Sequence, residues 1–308
     1  MDDVLPGKRI RREPTGCLNR WERTVDSLAQ NFAEQYELYI TGSNSELLAG
    51  ELASLLSGRY VSFEIYPFSY REYCHFHAYE QNRGSFLEYI QSGALPDLFQ
   101  LKDVDSRRLY KAAVKDTILL RDIIFRYSIK DARLLEDIFP YLVNTVSNLT
   151  SVSNLVNYFG SKNRRVNYET ISHYIHYLET AFLVHRSVRY QIKGKEILSG
   201  TCKYYINDLS FRNYLYSGYG YDLGFLLENA VYLQLKVEGY QVYTGALRNG
   251  EIDFVAVKGD HILYLQIAVT VMDQQVYDRE FGAFKTIDDN YEKFVVTLDK
   301  FAFLPLRA

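Results

Sequence analysis

The sequence predicts a multi-domain α/β protein, and three observations support this prediction. The chain has 308 residues, enough for two or three domains that each bury a core of their own. Helical and strand patterns alternate near both ends of the chain. The last third also contains a hairpin pattern in which apolar strand residues surround a few acidic and amide side chains.

The N-terminal quarter predicts a small α/β unit. A helix is expected over 21–32, followed by a strand over 36–40. Ser43 and Glu46 have the spacing of a capping box, which predicts that a second helix starts there. Residues 60–65 are expected to form a further strand.

The middle of the chain predicts a helical region followed by a winged-helix unit. Residues 68–148 are expected to be helical, with Pro140 as a break. Two shorter helices, 151–159 and 167–182, precede two strands that together span 184–206. Two helices followed by a β-ribbon are the arrangement of a winged helix.

The last third predicts a second α/β unit, built around a hairpin whose turn is Gly259-Asp260. Counting outward from that turn places Asp253 opposite Gln266. In the same register, Glu251 lies opposite Ala268. Because side chains two positions apart share a face of a strand, all four side chains are expected to point the same way.

Composition narrows the class of protein. A net charge of −3 excludes a polycationic nucleic-acid coat but leaves room for a local basic patch. The three cysteines are widely spaced, which predicts neither a disulfide framework nor a zinc site. No apolar run is long enough for a membrane span, and no secretory signal is recognised. We therefore expect a cytoplasmic protein without a membrane partner.

Several short motifs occur along the chain in an order that resembles one protein family. The motifs are Glu37-Leu38-Tyr39-Ile40-Thr41-Gly42-Ser43-Asn44-Ser45, Arg121-Asp122-Ile123, Asn207-Asp208-Leu209, Leu227-Glu228-Asn229, Gly250-Glu251-Ile252-Asp253-Phe254 and Leu265-Gln266-Ile267-Ala268. Together they resemble bacterial and archaeal AAA+ ATPases that carry a C-terminal domain of unknown function. The resemblance runs from about Trp21 to Asp299.

The resemblance implies ATP and Mg²⁺ as cofactors of the family, but the phosphate-binding loop is absent from this sequence. No G-x-x-x-x-G-K-S/T motif occurs, and no apolar strand ending in Asp-Glu precedes Trp21. Phosphoryl transfer needs those groups around the phosphates and the metal, so we expect no ATP hydrolysis by this chain alone. We interpret the chain as a truncated family member that lacks roughly its first hundred residues, including the Walker A and Walker B regions.

The resemblance also implies nucleotide-sensing positions in the AAA+ remnant. Asn44 or Ser43 would contact the terminal phosphate of a nucleotide, and Arg59 would make a more remote phosphate contact. In the alternative interpretation, Ser43 caps a helix and Arg59 is a surface cation.

The C-terminal hairpin is similar to the site of PD-(D/E)XK nucleases. Such a site needs a carboxylate on one strand, and a carboxylate or glutamine two residues before a lysine on the next. Asp253 and Gln266 match these strand positions, and Glu228 matches a glutamate on the preceding helix. Asp253 would be a ligand of Mg²⁺. The lysine position holds Ala268, which supplies neither a charge nor a donor, so we expect the fold rather than the activity.

Basic residues cluster around the predicted winged helix without forming a sequence-reading surface. The second helix of that unit contains no Lys or Arg. Arg164 and Arg165 precede it, and Arg186 and Arg189 lie in the predicted wing. These side chains are suited to non-specific contacts with phosphates. The alternative is a module for packing or for binding a protein partner.

These expectations combine into four segments and one function. The segments are an irregular tail over 1–20, a partial P-loop-type AAA+ core over 21–80, a helical and winged-helix region over 81–206, and a PD-(D/E)XK-like α/β domain over 207–308. The expected function is a partner- or nucleic-acid-binding module. Two alternatives stay open: a Mg-dependent nuclease that uses Glu228, Asp253 and Gln266, and a residual ATP-binding protein that uses Asn44 and Arg59.

Overall fold

The computed structural model describes residues 60–216 and 223–300, together with a few positions between 25 and 44. The chain divides into two units, 1–63 and 64–308. The second unit contains a six-stranded mixed sheet with helices, which confirms the predicted α/β class.

The first unit is described at few positions. Those that lie within 21–32 are helical, in agreement with the helix expected there. Residues 38–40 have no regular secondary structure, so the strand predicted at these positions is wrong. The helix expected from Ser43 onwards lies outside the described residues, apart from Asn44, and so does Arg59.

The predicted strand over 60–65 is also wrong. This segment has no regular secondary structure and pairs with none of the strands in the described part of the chain. Val61, Phe63 and Ile65 expose 77%, 78% and 85% of their surface. Alternating apolar residues form a strand only where a neighbouring strand completes the hydrogen-bond ladder and another element covers one face.

The second unit begins with a helical region, as expected. Its helices are α1 (Tyr70–His77), α2 (Arg83–Ser92), α3 (Val104–Asp116), α4 (Ala132–Asn144), α5 (Val152–Ser161) and α6 (Tyr168–Thr180), with a 3₁₀ helix over Pro96–Gln100 and a π-helical segment over Thr117–Phe125. Pro140 lies inside α4 and does not break it, contrary to expectation. Leu134, Ile138 and Leu142 of this helix are buried, and their packing offsets the hydrogen bond that the proline removes.

Six strands form one mixed sheet in the order β2-β1-β3-β4-β5-β6. The strands are β1 (Val184–Gln191), β2 (Glu196–Ile206), β3 (Gln241–Leu247), β4 (Gly250–Lys258), β5 (His261–Ala268) and β6 (Glu292–Thr297). The helices among them are α7 (Ser210–Leu215), α8 (Leu223–Val237) and α9 (Gln274–Phe284). β1 runs parallel to β3 and β5 runs parallel to β6, whereas the other neighbours are antiparallel.

The hairpin that we predicted as a wing forms one edge of this sheet. Helices α5 and α6 precede it, as expected. β1 is hydrogen-bonded to β2 on one side and to β3 on the other, so the sheet continues across the boundary that we placed after residue 206. A strand that is paired on both sides does not project into a nucleic-acid groove as a free wing does.

Two hydrophobic clusters cover the sheet. Phe254 of β4 packs with Tyr205 and Tyr232 in a cluster that includes the apolar residues of α8. The next residue, Val255, belongs to a second cluster together with Phe284 of α9. Burial on both sides explains the nearly continuous apolar character of this strand. Within the described residues, no helix combines the length and the apolar character of a membrane span.

We predict that Gly93→Ala destabilises the second unit by about 3 kcal/mol. Gly93 has a φ of +81°, and an added Cβ would collide with Asp208 Oδ1 and Ser210 Cβ. Asp208 itself accepts hydrogen bonds from the amides of Ala94 and Ser210, at 2.6 Å and 2.9 Å. The measurement is the free energy of unfolding in urea. Gly160→Ala in α5 is the control, because nothing lies within 4 Å of its added Cβ, and it should leave stability unchanged or raise it slightly. Equal effects of the two substitutions would contradict the prediction.

Candidate functional site

The predicted hairpin forms β4 and β5 in the expected register. Lys258 pairs with His261 across Gly259-Asp260, and Phe254 pairs with Leu265 at the other end of the ladder. Beyond that pair, side chains replace the backbone ladder. The amide of Asp253 donates to Gln266 Oε1 and the amide of Ile267 donates to Asp253 Oδ2, both at 2.8 Å. Asp253 and Gln266 therefore face each other as expected, but through side chain-to-backbone bonds.

A β-bulge in β4 changes the direction in which the Asp253 side chain points. Tyr243 of β3 pairs with Val255 and Gly245 pairs with Ile252, so one residue of β3 lies opposite two residues of β4, Asp253 and Phe254. Both of these residues contact the α8 side of the sheet, so the alternation of side chains is interrupted between Asp253 and Phe254. Glu251 and Asp253 still share a face, since both contact Lys203. Bulges of this kind frequently direct a side chain into a site.

Lys203 of β2 lies among the carboxylates that the sequence placed in the site. Its Nζ is 3.0 Å from Glu228 Oε1, 2.7 Å from Glu251 Oε1 and 3.4 Å from Asp253 Oδ1. The residue exposes only 2% of its surface. This positive charge lies on β2, an edge strand of the sheet, and not on the hairpin strand that carries Ala268.

Small side chains allow Lys203 to reach across the sheet. Lys203 pairs with Ser187 of β1, and the Ser187 hydroxyl lies 3.1 Å from the hydroxyl of Thr244 in β3. Both hydroxyl residues are fully buried. Short side chains on the two intervening strands leave room for the long lysine side chain above them.

Glu228 is held in place by its neighbours. Its Oε1 accepts a hydrogen bond from the Tyr205 hydroxyl at 2.7 Å as well as from Lys203. The next residue, Asn229, donates to the carbonyl of Ile206 at 2.9 Å and accepts from its amide at 2.8 Å. These two hydrogen bonds to the end of β2 fix α8 against the strand that carries Lys203.

Burial and ion pairing shift the pKa values of these groups. Burial raises the pKa of Glu228 to about 7, although Lys203 counteracts the effect. Burial also raises the pKa of Asp253, again against the effect of Lys203. For Lys203, burial alone lowers the pKa, but attraction by Glu228, Asp253 and Glu251 outweighs it and the pKa lies above its usual value. The ammonium stays charged at neutral pH, while Glu228 is poised to titrate.

The donors suit a hard divalent cation by their chemistry. Carboxylate oxygens are the ligands that Mg²⁺ and Mn²⁺ prefer, and three carboxylates around one ammonium leave negative charge uncompensated. Within the described residues, however, no group of three or more His, Cys, Asp or Glu side chains is arranged to hold a metal ion. The three carboxylates converge on the ammonium of Lys203. A cation that binds here has to share the carboxylates with Lys203 or displace its ammonium.

The other predicted site residues lie apart from this cluster or outside the described residues. Asn44 is buried in the first unit. Arg164 forms ion pairs with Asp131 and Asp137 at 2.8 Å and 2.5 Å. The remaining predicted basic residues differ in environment: Arg165 is exposed, Arg186 lies 3.4 Å from Glu179, and Arg189 is half-buried.

Sequence reasoning missed Lys203 and Tyr205. A usable signal was present, since a lysine in the run Cys202-Lys203-Tyr204-Tyr205-Ile206 interrupts an otherwise apolar strand. A charge in such a run needs a buried partner. The identity of that partner depends on the sheet order, which the run itself does not reveal.

Comparisons with known proteins place the chain in a family. Residues 16–74 match a family model described as an AAA domain, and residues 83–222 match one described as a domain of unknown function (DUF8612). An uncharacterized protein of Haemophilus influenzae is 35% identical over 281 residues, which covers 90% of this chain and 69% of that protein. The chain belongs to the family of this Haemophilus protein.

A second relative extends the family to an archaeon. An uncharacterized protein of Methanocaldococcus jannaschii is 26% identical over 288 residues, covering 88% of this chain and 63% of that protein. The chain thus spans about two thirds of the length of these relatives. The AAA match supports the expected AAA-like ATPase resemblance, and the second match agrees with a domain of unknown function. No solved structure matches the chain.

The raised pKa of Glu228 predicts a pH dependence of stability. A carboxyl group whose pKa rises from 4.5 to about 7 on folding binds more protons in the folded state than in the unfolded state. The free energy of unfolding should therefore fall as pH rises from about 4.5 to 7, with a contribution from Glu228 of about 3 kcal/mol.

Urea unfolding at several pH values between 5 and 8 checks this dependence. Glu228→Gln should flatten the slope in that window, because glutamine does not titrate. Glu238→Gln, at an exposed position just after α8, should keep the wild-type slope. Parallel curves for wild type and Glu228→Gln would refute the assignment.

Proposed function

We propose that the carboxylate–lysine cluster cleaves phosphodiester bonds of nucleic acid with the help of a divalent cation. The observation that supports this most strongly is the position of Lys203, which brings a charged ammonium to Glu228, Glu251 and Asp253 although residue 268 is alanine. Several acidic side chains together with a lysine are the groups that such hydrolysis needs.

Each side chain has a role that follows from its environment. Asp253, Glu251 and Glu228 would hold the cation, which when bound lowers the pKa of a water molecule and stabilises charge on the phosphate. Lys203 stays protonated, so it attracts and orients a phosphate oxygen rather than accepting a proton.

Gln266 has a positioning role in this proposal. Its Oε1 accepts the hydrogen bond from the Asp253 amide, and its side chain carries no charge. By fixing the backbone of Asp253, Gln266 holds the carboxylate next to Lys203. Ala268 adds no polar group to the site.

A plasmid cleavage assay tests the proposal. We expect the wild-type protein to nick supercoiled DNA in the presence of Mg²⁺ or Mn²⁺. Asp253→Ala and Lys203→Met should each lower the rate by about a hundredfold or more, since each removes a group that holds the cation or the phosphate. Asp260→Ala in the hairpin turn and Lys258→Met beside it are the matched controls, because both residues are exposed.

Two outcomes count against hydrolysis. One is a wild-type protein that leaves DNA intact with either metal. The other is cleavage that survives Asp253→Ala at the wild-type rate, which would indicate a contaminating nuclease.

A second candidate function is nucleic-acid binding without cleavage, and a cleft in the helical region favours it. The cleft has a volume of about 670 Å³ and lies beside α4 and α5. Arg133, Lys162 and Arg164 line it together with one carboxylate, Asp137. Lys162 donates to the Tyr158 hydroxyl and lies 4.3 Å from the centre of that ring. Cations next to aromatic rings are typical of surfaces that bind single strands.

Fluorescence polarisation with a labelled single-stranded oligonucleotide tests the cleft. The double variant Arg133→Met with Lys162→Met should raise the Kd by about tenfold, because it removes two phosphate-binding charges. Arg108→Met with Lys102→Met removes two exposed charges elsewhere and should have a smaller effect. Equal losses from the two double variants would mean that net charge, and not this cleft, governs binding.

A further inference from the structure

Arg189 carries a charge that no described residue neutralises. The side chain is half-buried in β1, and its Nε is shielded from water without a hydrogen-bond partner among the described residues. The three other predicted basic residues differ: Arg164 and Arg186 are paired with carboxylates, and Arg165 is exposed. Burying a guanidinium donor without an acceptor is unfavourable, and an anion that binds at the accessible part of this side chain would compensate its charge.

The strand pairing places Arg189 beside the carboxylate–lysine cluster. The register between β1 and β2 shifts between Val188 and Arg189, so the pairing with β3 is the better guide to the face of Arg189. Arg189 pairs with Thr244, which lies opposite the bulge that carries Asp253. The Thr244 hydroxyl contacts the hydroxyl of Ser187, the residue that pairs with Lys203, so the side chain of Arg189 leaves β1 on the face that Lys203 crosses.

The cluster needs such a cation if it acts on nucleic acid. Glu228, Glu251 and Asp253 repel a phosphate, and the single charge of Lys203 offsets only part of this repulsion. A second positive charge that is not paired with a carboxylate attracts the backbone without disturbing the cluster. A guanidinium also offers several donors in a geometry that fits phosphate oxygens.

We propose that Arg189 binds a backbone phosphate of the nucleic acid, adjacent to the one that is cleaved. This inference rests on the proposed function of the cluster. It reassigns Arg189 from a wing contact to the substrate-binding part of the hydrolytic site. The contact is to the sugar–phosphate backbone, so it carries no sequence preference.

Binding in the absence of metal tests Arg189 separately from cleavage. In buffer with EDTA, Arg189→Met should raise the Kd for a labelled DNA oligonucleotide by about tenfold. It should also make the slope of log K against the logarithm of the salt concentration shallower by about one, the change expected for one lost phosphate contact. Arg189→Lys should lie between wild type and Arg189→Met, because it keeps the charge but loses the planar donors. Arg108→Met, which removes an exposed charge on α3, is the matched control and should bind like wild type.

The kinetic readout with Mg²⁺ should match the binding result. Arg189→Met should raise KM by a similar factor and leave kcat nearly unchanged, whereas Asp253→Ala should lower kcat. Circular dichroism and thermal unfolding verify that the variants are folded, and Arg189→Gln replaces the methionine variant if that one does not fold.

The outcomes separate the two proposals. If Arg189→Met binds DNA as tightly as Arg108→Met does, the proposed role of Arg189 is wrong. This holds even if the wild-type protein cleaves DNA in an Asp253-dependent manner. Absence of oligonucleotide binding by wild type overturns it as well. If wild type does not cleave but Arg189→Met still binds more weakly than Arg108→Met, hydrolysis fails and the phosphate contact stands.

Discussion

The buried ammonium of Lys203 holds together three elements that are far apart in sequence. It contacts Glu228 on α8 and both Glu251 and Asp253 on β4, and it starts from β2 at the edge of the sheet. Removing four charged groups from water is costly, and only their mutual attraction and hydrogen bonds compensate for it. Loss of the ammonium would leave three carboxylates close together and unneutralised. Through these contacts the ammonium connects α8 and the bulged part of β4 to β2.

Side-chain amides and carboxylates continue the hydrogen-bonding pattern where the strands stop. Asn229 bonds the backbone of Ile206 as a neighbouring strand would, and Asp253 and Gln266 bond each other's strands beyond the last backbone pair. These bonds satisfy buried backbone groups without closing the sheet. The regular ladder between β4 and β5 consequently ends at Phe254 and Leu265, next to Asp253.

The sequence predicted local features well. The turn at Gly259-Asp260 set the hairpin register, because a two-residue loop leaves one way to count outward. Helices with an apolar face, such as α6, appeared where the periodicity placed them. Among the candidate site residues, Glu228 and Asp253 were singled out from motifs, and both contact Lys203.

Predictions failed where the answer depended on a partner distant in sequence. Residues 60–65 have a strand pattern but no strand beside them among the described residues, and the predicted wing joins β3 instead of standing free. Lys203 was missed for the same reason, since only the sheet order brings β2 within reach of β4.

By itself, the sequence determined the α/β class, the register of the central hairpin and the acidic residues of the candidate site. These follow from periodicity, turn chemistry and side-chain type, which act over a few residues. Tertiary structure alone decided that Lys203 of β2 meets the carboxylates of Glu228, Glu251 and Asp253. The physical reason is that a buried charge is stabilised by opposite charges that are close in space, whatever their separation in sequence. The pairing of β2, β1, β3 and β4 sets the distance between Lys203 and the carboxylates.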